Sequence, residues 1–466
     1  MLEGLEVREI KLSVVNENKD YRIDTDFWTK EPKKNPNLQY IKIKDCLLKS
    51  QYGISVSMNE DGIGYPIYRM NEIHNMMCDF SVSKYADISE IEKKKFILKD
   101  RDVLFNRTNS FEWVGRTGIF YEQEGVDFIF ASYLVRFVPN EDIILPEYLT
   151  TYLNTKYGIW DLKRRARQSI NQTNINPEEV KETFIPLLNK NIQLKIKECF
   201  DSSKQTLIQS SQLYAEAEEL LLENLGLKNF QVACNPFNIK SLKESFLQTG
   251  RLDAEFYQVV YERLEEHIRQ YPQGFQRLGE ICRLKDQNYT PEDDQEYSYI
   301  ELSNIGHTGE ITGCIQSLGK DLPSRARRKI QTGDVVVSSI EGSLQSCAVV
   351  TPEYHNALCS TGFYVVSSEH INSETLLVLF KSPLIQQILK KNCSGTILTA
   401  INKKEFLNIP LPVICPKTQT QIAEYLQKSQ ALRRQAAELL AEAKNSVEHE
   451  IENIQLNQIN AGGGKS

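Results

Sequence analysis

Hydrophobic residues at seven-residue spacing mark two stretches of the chain as long helices. In the first, Ile192 and Ile196 lead into Phe200, Leu207, Tyr214 and Leu221, with Ala217 on the same stripe. No proline interrupts residues 189–225, and Gly226 follows as a stop signal. In the second, Tyr425, Leu432 and Leu439 repeat every seven, Ala436 and Ala443 lie between them, and Val447, Ile451 and Ile454 continue the pattern. Narrow apolar stripes of this period predict a coiled-coil seam, and the alanines allow two backbones to approach closely. Each helix spans about 34–36 residues, roughly 50 Å at 1.5 Å per residue. Matched lengths predict that the two pack on each other, antiparallel; the competing expectation is that each packs on its own globular domain.

Outside the two helices the pattern changes to short runs of period two. Residues 103–105, 117–120 and 132–138 read as strands, as do 335–338, 346–350 and 362–366. Residues 147–165 and 373–391 read as helices. Strands and helices do not alternate regularly, which favours an α+β class over a doubly wound parallel sheet.

The same succession occurs twice. Arg22-Ile23-Asp24-Thr25-Asp26-Phe27 recurs as Arg251-Leu252-Asp253-Ala254-Glu255-Phe256. Tyr68 to Ile73 is answered by Ile300 to Ile305, Asp102-Val103-Leu104 by Asp334-Val335-Val336, Asn174-Ile175-Asn176 by Ala400-Ile401-Asn402, and Phe184-Ile185-Pro186-Leu187 by Asn408-Ile409-Pro410-Leu411. The offset stays between 224 and 232 residues, too long for a solenoid unit. It predicts two copies of a domain-plus-helix module: a globular domain over 1–189, a long helix over 190–227, a second domain over 228–416, a second helix over 417–458 and a disordered tail over 459–466. Between the matched segments the side chains differ. Asn106-Arg107-Thr108-Asn109 stands where the second copy has Ser338-Ser339-Ile340-Glu341. A shared scaffold with divergent loops is expected if each copy reads a different target; simple drift after duplication would look the same.

Composition narrows the chemistry. A net charge of −7 argues against a protein that coats nucleic acid by charge alone, though not against one with basic residues gathered on one face. No apolar run approaches the ~20 residues of a membrane span, and residues 1–10 are charged, so a cytoplasmic location is expected. Ten cysteines contain no C-x-x-C pair; the His74–Cys78 and His355–Cys359 spacings fall short of a zinc signature, and no metal is implied. Asn235-Pro236-Phe237-Asn238 lacks the second proline of an amino-methyltransferase loop, and no glycine-rich S-adenosylmethionine loop stands out. The terminal Gly462-Gly463-Gly464-Lys465-Ser466 has neither the preceding strand nor the following helix of a phosphate loop. The six histidines form no recognisable nucleophile–base motif. The reading is a non-enzyme.

These segments, taken in order and twice over, resemble the specificity subunits of Type I restriction-modification systems. The resemblance rests on Thr332-Gly333-Asp334-Val335-Val336, on Val114-Gly115-Arg116-Thr117-Gly118, and on Asn176, Ile185-Pro186-Leu187 and Gln193 in one half. In the other half it rests on Gly395-Thr396, Ile401-Asn402, Ile409-Pro410-Leu411-Pro412 and Gln421-Ile422. Lys99-Asp100-Arg101-Asp102 departs from it by lacking the glycine. The resemblance implies two target-recognition domains reading a bipartite site on double-stranded DNA, with the helices as a ruler. It implies two methyltransferase subunits docked on those helices and carrying S-adenosylmethionine, a possible restriction or translocase subunit, and no cofactor on this chain. A specificity subunit of another restriction-methylation system, or a coiled-coil scaffold protein, are the alternatives.

Reading DNA needs donors and acceptors for base edges and cations for phosphates. In the first domain the candidates are Asn106, Arg107, Asn109, Arg116, Lys163, Arg164, Arg165, Arg167, Gln168 and Asn171. In the second they are Arg325, Arg327, Arg328, Ser338, Gln345, Ser394, Thr396 and Lys403. The competing expectation for the run 163–168 is a solvated helix face.

Overall fold

The computed structural model describes residues 7–18, 21–170, 172–228, 237–395 and 399–462, with side chains through residue 452. The contacts divide the chain into two units, Met1–Thr206 with Arg434–Ser466, and Leu207–Arg433. Each unit therefore contains one globular domain and a part of both long helices, Lys190–Asn224 and Pro416–Gly462.

In the first unit a sheet runs in the order Leu47–Tyr52, Leu134–Pro139, Val103–Asn106, Thr117–Ile119, Met77–Cys78, Ile73–His74. Its first four strands are mutually antiparallel. In the second unit the order is Cys282–Leu284, Phe363–Ser368, Val335–Ser338, Cys347–Val349, again antiparallel throughout. A second sheet in each unit contains one parallel pair, Tyr65–Tyr68 with Ile129–Phe130 and Glu296–Ile300 with Leu358–Ser360. A third pairing joins Tyr40–Lys42 to Phe184–Pro186, and Phe275–Arg277 to Pro410–Pro412. The duplication in the sequence is thus a duplication of topology.

Strand alternation explains how one β-run serves two cores. Val336 packs with Ile300, Ala348, Cys359, Phe363 and Val365 between the two sheets. Its neighbours Val335 and Val337 point the other way, into a cluster with Leu376, Leu377, Phe380 and Ile385 of the helical layer. In the first unit Leu104 takes the inner place, with Tyr68, Phe120, Phe128 and Phe130.

Each helix expected over 147–165 and 373–391 is in fact two, Pro146–Asn154 with Lys156–Arg165, and Ser373–Lys381 with Pro383–Lys391. The breaks fall at Thr155 and Ser382, both extended, whose hydroxyls accept from the backbone N–H of Gly158 (3.2 Å) and Ile385 (3.4 Å). A hydroxyl that caps a new first turn competes with helix continuation, a signal that apolar periodicity does not register. Gly158 is required at its break, because a Cβ there would lie 2.1 Å from the Tyr152 carbonyl oxygen.

One turn shows the copies solving a problem differently. Asp102 and Asp334 each cap the turn before their strand, accepting from the N–H of Lys99 (2.8 Å) and Gln331 (2.9 Å). The preceding residue is left-handed in both, Gly333 at φ +86° and Arg101 at φ +65°. Arginine is held in that conformation, at a cost of about 1–2 kcal/mol, by its fork on buried Glu147 (2.7 and 2.8 Å) and by Glu141. The aspartates also differ in their cation: Arg136 at 3.0 Å for Asp102, Lys285 at 2.7 Å for Asp334.

The long helices pair within each unit. In the first unit Ser203 Oγ donates to the Ala436 carbonyl at 3.1 Å. In the second, Ser210 Oγ donates to the Ser429 carbonyl (2.9 Å) and Ser429 Oγ to the Ser210 carbonyl (2.8 Å). Seven residues forward on one helix is seven back on the other, so the pair is antiparallel. The buried stripe on the first helix is Gln193, Ile196, Phe200, Ser203, Thr206, Ser210, Tyr214, Ala217 and Leu221. Phe200, Tyr214 and Leu221 are therefore buried, while Leu207 is half-buried. On the second helix the expectation needs correction. Tyr425, Leu432 and Leu439 are half-buried, and the buried stripe is Ile422, Leu426, Ser429, Ala436, Leu440, Ala443, Val447 and Ile451. The hydrogen bonds between the helices come from serines, which an apolar heptad count passes over. The second helix is described to Gly462, past the expected end at 458.

Candidate nucleic-acid interface

In the first unit the loop leaving Val103–Asn106 meets a polar hairpin. Three short strands pair in the order Arg167–Gln168, Thr173–Asn174, Thr108–Asn109, with Arg167 opposite Asn174 and Asn109 opposite Thr173. The hairpin follows directly from the end of helix Lys156–Arg165. The Ile175 N–H ties the assembly to the Arg107 carbonyl at 2.9 Å, and Thr108 Oγ1 donates to Asn174 Oδ1 at 2.7 Å. The second unit repeats the device. Cys393–Ser394 pairs with Ala400–Ile401, Ala400 bridges to Ile340, and the Ile401 N–H reaches the Ser339 carbonyl at 2.8 Å.

The candidate residues separate sharply by burial. Arg167 and Gln168 are exposed on the hairpin, as are Ser169, Ile170 and Gln172 at its turn. Asn109 is half-exposed, its Oδ1 accepting from the Ser110 N–H. These are the groups within one short sheet that present polar edges outward.

Most of the basic run does the opposite. Arg164 and Arg165 are buried, both on Asp161, with Arg165 also 2.9 Å from Glu179 and Arg164 donating to the Phe27 carbonyl. Lys163 donates to the carbonyls of Glu112 (3.1 Å) and Val114 (3.0 Å) and to that of Phe111, and burial pushes its ammonium down to about 8. Three of the run's four cations stitch the domain together, and the fourth, Arg167, is exposed. Asn106 is fully buried and shapes the loop, donating to the Trp113 carbonyl and accepting from the Thr108 N–H. Arg116 stacks 3.4 Å from the Trp113 ring centroid, where burial pushes its guanidinium down to about 10. Arg107 is half-buried over Tyr52 at 5.4 Å. Asn171 and Thr396 lie outside the described residues.

In the second unit Ser338 is fully buried, its hydroxyl 3.0 Å from that of Ser343. Arg328 and Lys403, far apart in sequence, converge on Asp286: the first donates to its carbonyl and the second pairs with its carboxylate, which Lys403 holds below the usual range. Arg325 is exposed and paired with Glu301 at 2.6 Å, and Arg327 donates to the Ser324 carbonyl. Gln345 and Ser394 are exposed. Sequence reasoning missed Asn174, which sits in the hairpin sheet of the first unit; strand pairing across 66 residues places it there.

A glutamine fixes each domain to its helix, buried in the first and half-buried in the second. Gln193 accepts from the Leu145 N–H (2.8 Å) and donates to the Leu188 carbonyl (2.9 Å). Gln419 accepts from the Asn372 N–H (3.0 Å) and donates to the Ile414 carbonyl (2.9 Å). The counterpart of Gln193 is therefore Gln419 and not Gln421, which is exposed.

The model of the family of Type I restriction modification DNA specificity domains matches residues 29–219 and again residues 272–448. The chain belongs to this family. Both matches take in a globular domain and most of the helix that follows it. Among curated proteins, the chain is 24% identical over 417 residues to the protein assigned as the specificity subunit of type I restriction enzyme MjaX of Methanocaldococcus jannaschii, covering 87% of this chain and 90% of that one. It is 24% identical over 164 residues to the specificity subunit of type I restriction enzyme EcoKI of Escherichia coli, 35% of each chain. Solved structures similar to it include a Type-I restriction-modification S subunit from M. genitalium (14% identity, 90% of this chain and 97% of that one, TM-score 0.34). Another is the HsdS subunit from Thermoanaerobacter tengcongensis (13% identity, 90% and 98%, TM-score 0.30). The chain is a DNA specificity subunit with two specificity domains, and no helix among its described residues is long and apolar enough to cross a membrane.

Proposed function

We propose that each specificity domain reads one half of a bipartite target on double-stranded DNA through its polar hairpin, and that this chain performs no chemistry itself. The observation that carries this reading is the repeated hairpin, built on the same hydrogen bonds in both units and bearing different side chains. Arg167, Gln168, Gln172, Asn109 and Asn174 face one half-site; Ser394, Gln345 and the Arg328–Lys403 pair serve the other. A cation-and-amide surface suits guanine and adenine edges, and a serine-bearing one suits weaker or water-mediated contacts.

Two methyltransferase subunits, carrying S-adenosylmethionine, would dock on the long helices and flip their target adenines out of the stack. A restriction subunit that moves DNA would join them. The work belongs where the chromosome is, in the cytoplasm.

The test is an exchange of residues 5–188 for the matching domain of a relative, read by methylome sequencing of the host. One half of the methylated motif should change and the other stay. If both halves change, or if deleting the gene leaves the methylome as it was, the reading is wrong. Transfer of labelled methyl groups by the purified chain alone would overturn its non-catalytic role.

A further inference from the structure

The repeated segment Arg22 to Phe27, with its second copy Arg251 to Phe256, is not explained by duplication alone, because its arginine, its first aspartate and its closing phenylalanine have the same tasks in both units. Arg22 lays its guanidinium fork on Asp24, at 2.5 Å on both oxygens, and Arg251 does so on Asp253, at 2.9 and 2.5 Å. Each guanidinium sits over the ring that closes the segment, 4.6 Å from the Phe27 centroid and 4.3 Å from the Phe256 centroid. The next aromatic anchors the arginine's own carbonyl: Trp28 Nε1 donates to Arg22 at 2.8 Å, and the Tyr257 hydroxyl to Arg251 at 3.0 Å.

What the forks hold is the root of the hairpin. Arg22 donates to the carbonyl of Arg165 (3.0 Å), the last residue of helix Lys156–Arg165, and more weakly to that of Arg164 (3.4 Å). Arg251 donates to the carbonyl of Cys393 (3.0 Å), in the first strand of the other hairpin. Carbonyls at a helix end have no partner within the helix, and a cation there is favoured by the helix dipole. Strand Arg167–Gln168 begins two residues beyond Arg165.

We propose that Arg22 and Arg251 are positioning residues for DNA readout: each, braced by its aspartate and ring, fixes the hairpin of its own unit in the register that meets the bases. The idea rests on the hairpins being the reading elements. A planar fork braced on two oxygens leaves little freedom about its axis, so the carbonyl it holds is fixed in direction as well as distance. Base readout needs that, since bidentate contacts tolerate little misplacement.

The experiment uses the full chain with its modification subunits and, as probe, a duplex bearing the motif that methylome sequencing assigns to the wild type. Single-base variants of each half-site are bound alongside, and melting temperature is measured for every protein. A wrong base pair costs on the order of 10- to 100-fold in affinity for a well-placed reader. Arg22→Gln should reduce this discrimination to a few-fold at one half-site and leave the other unchanged; Arg251→Gln should do the reverse. Arg22→Lys, which keeps a donor but loses the fork, should fall between. If cognate and variant duplexes weaken by the same factor, or if discrimination is unaltered in folded protein, the proposal is overturned. Should Arg22→Gln fail to fold, Arg22→Lys and Asp24→Asn decide in the same assay. Gln168→Ala and Arg167→Ala separate the two ideas. If they leave DNA binding untouched, the hairpin is not the reader; if they alter it and the Arg22 variants do not, only the latch fails.

Discussion

Replacing Asp161 with alanine removes a carboxylate on which two buried guanidinium groups converge. Arg164 Nε lies 2.5 Å from one oxygen and Arg165 Nε 3.1 Å from the other, and all three side chains are at most 6% exposed. Arg165 would keep Glu179, at 2.9 Å. Arg164 would keep the Phe27 carbonyl, a place over the Phe27 ring and only the more distant charge of Glu31. Stranding one buried charge costs about 3–5 kcal/mol. For a unit of this size each kcal/mol moves the melting temperature by roughly 2–4 °C, so the loss should be on the order of 10 °C. Calorimetry of the purified chain measures it, and DNA binding at a temperature where both proteins are folded should change by no more than about threefold, since Asp161 and Arg164 face inward. The acid limb gives an independent check. Burial pushes the Asp161 carboxyl up, but Arg165 and Arg164 outweigh it and hold the group below its ordinary value. A depressed pKa in the fold contributes stability that is present above the unfolded value, about 3.9, and is lost as pH falls through the folded one. The wild type should lose stability below about pH 4 more steeply than the alanine variant. A melting temperature within 2 °C of wild type would refute the assignment of Arg164 and Arg165 to the interior.

Arg167→Ala should cost about 1–3 kcal/mol in DNA binding and relax specificity at one position of one half-site, as read by titration with single-base variant duplexes, without moving the melting temperature. Ser210→Ala or Ser429→Ala should each cost about 1 kcal/mol by removing a buried hydrogen bond between the helices, as read by urea unfolding. The Lys163 ammonium is held at about 8, below its unfolded value, so the unfolded chain binds more protons above that pH. Stability should therefore rise as pH climbs from 8 towards 10, and a Lys163→Met protein should lack that rise in urea midpoints.

Duplication was legible because it is written in turn residues and strand alternation, which are local. The seam of the second helix was legible only in part. Tyr425, Leu432 and Leu439 keep the heptad period but are only half-buried; Ala436 and Ala443 stood on the stripe from the sequence, while Ser429, being polar, escaped an apolar count. The basic run misled for a different reason. A string of cations says nothing about which way a helix turns, and the informative residue was Asp161, three and four positions earlier on the face that Arg164 and Arg165 share. Glu179, across the fold, had no sequence signal. The hairpin itself needed pairing between Thr108–Asn109 and Thr173–Asn174, which sequence distance conceals.

The turn at Asp102 and Asp334 bears on how such proteins can be recombined. Its aspartate is the same in both copies, yet the neutralising charge comes from strand Leu134–Pro139 in one and from Lys285, well before the turn, in the other. A crossover placed between cation and aspartate would thus leave one chimaera with two cations at the turn and its reciprocal with none. Residue-by-residue transplantation meets the same obstacle at Arg101 and Gly333, where the backbone is shared but its means of support is not. Viable hybrids of this architecture should therefore join at the ends of whole domains, where charge and counter-charge travel as one inheritance.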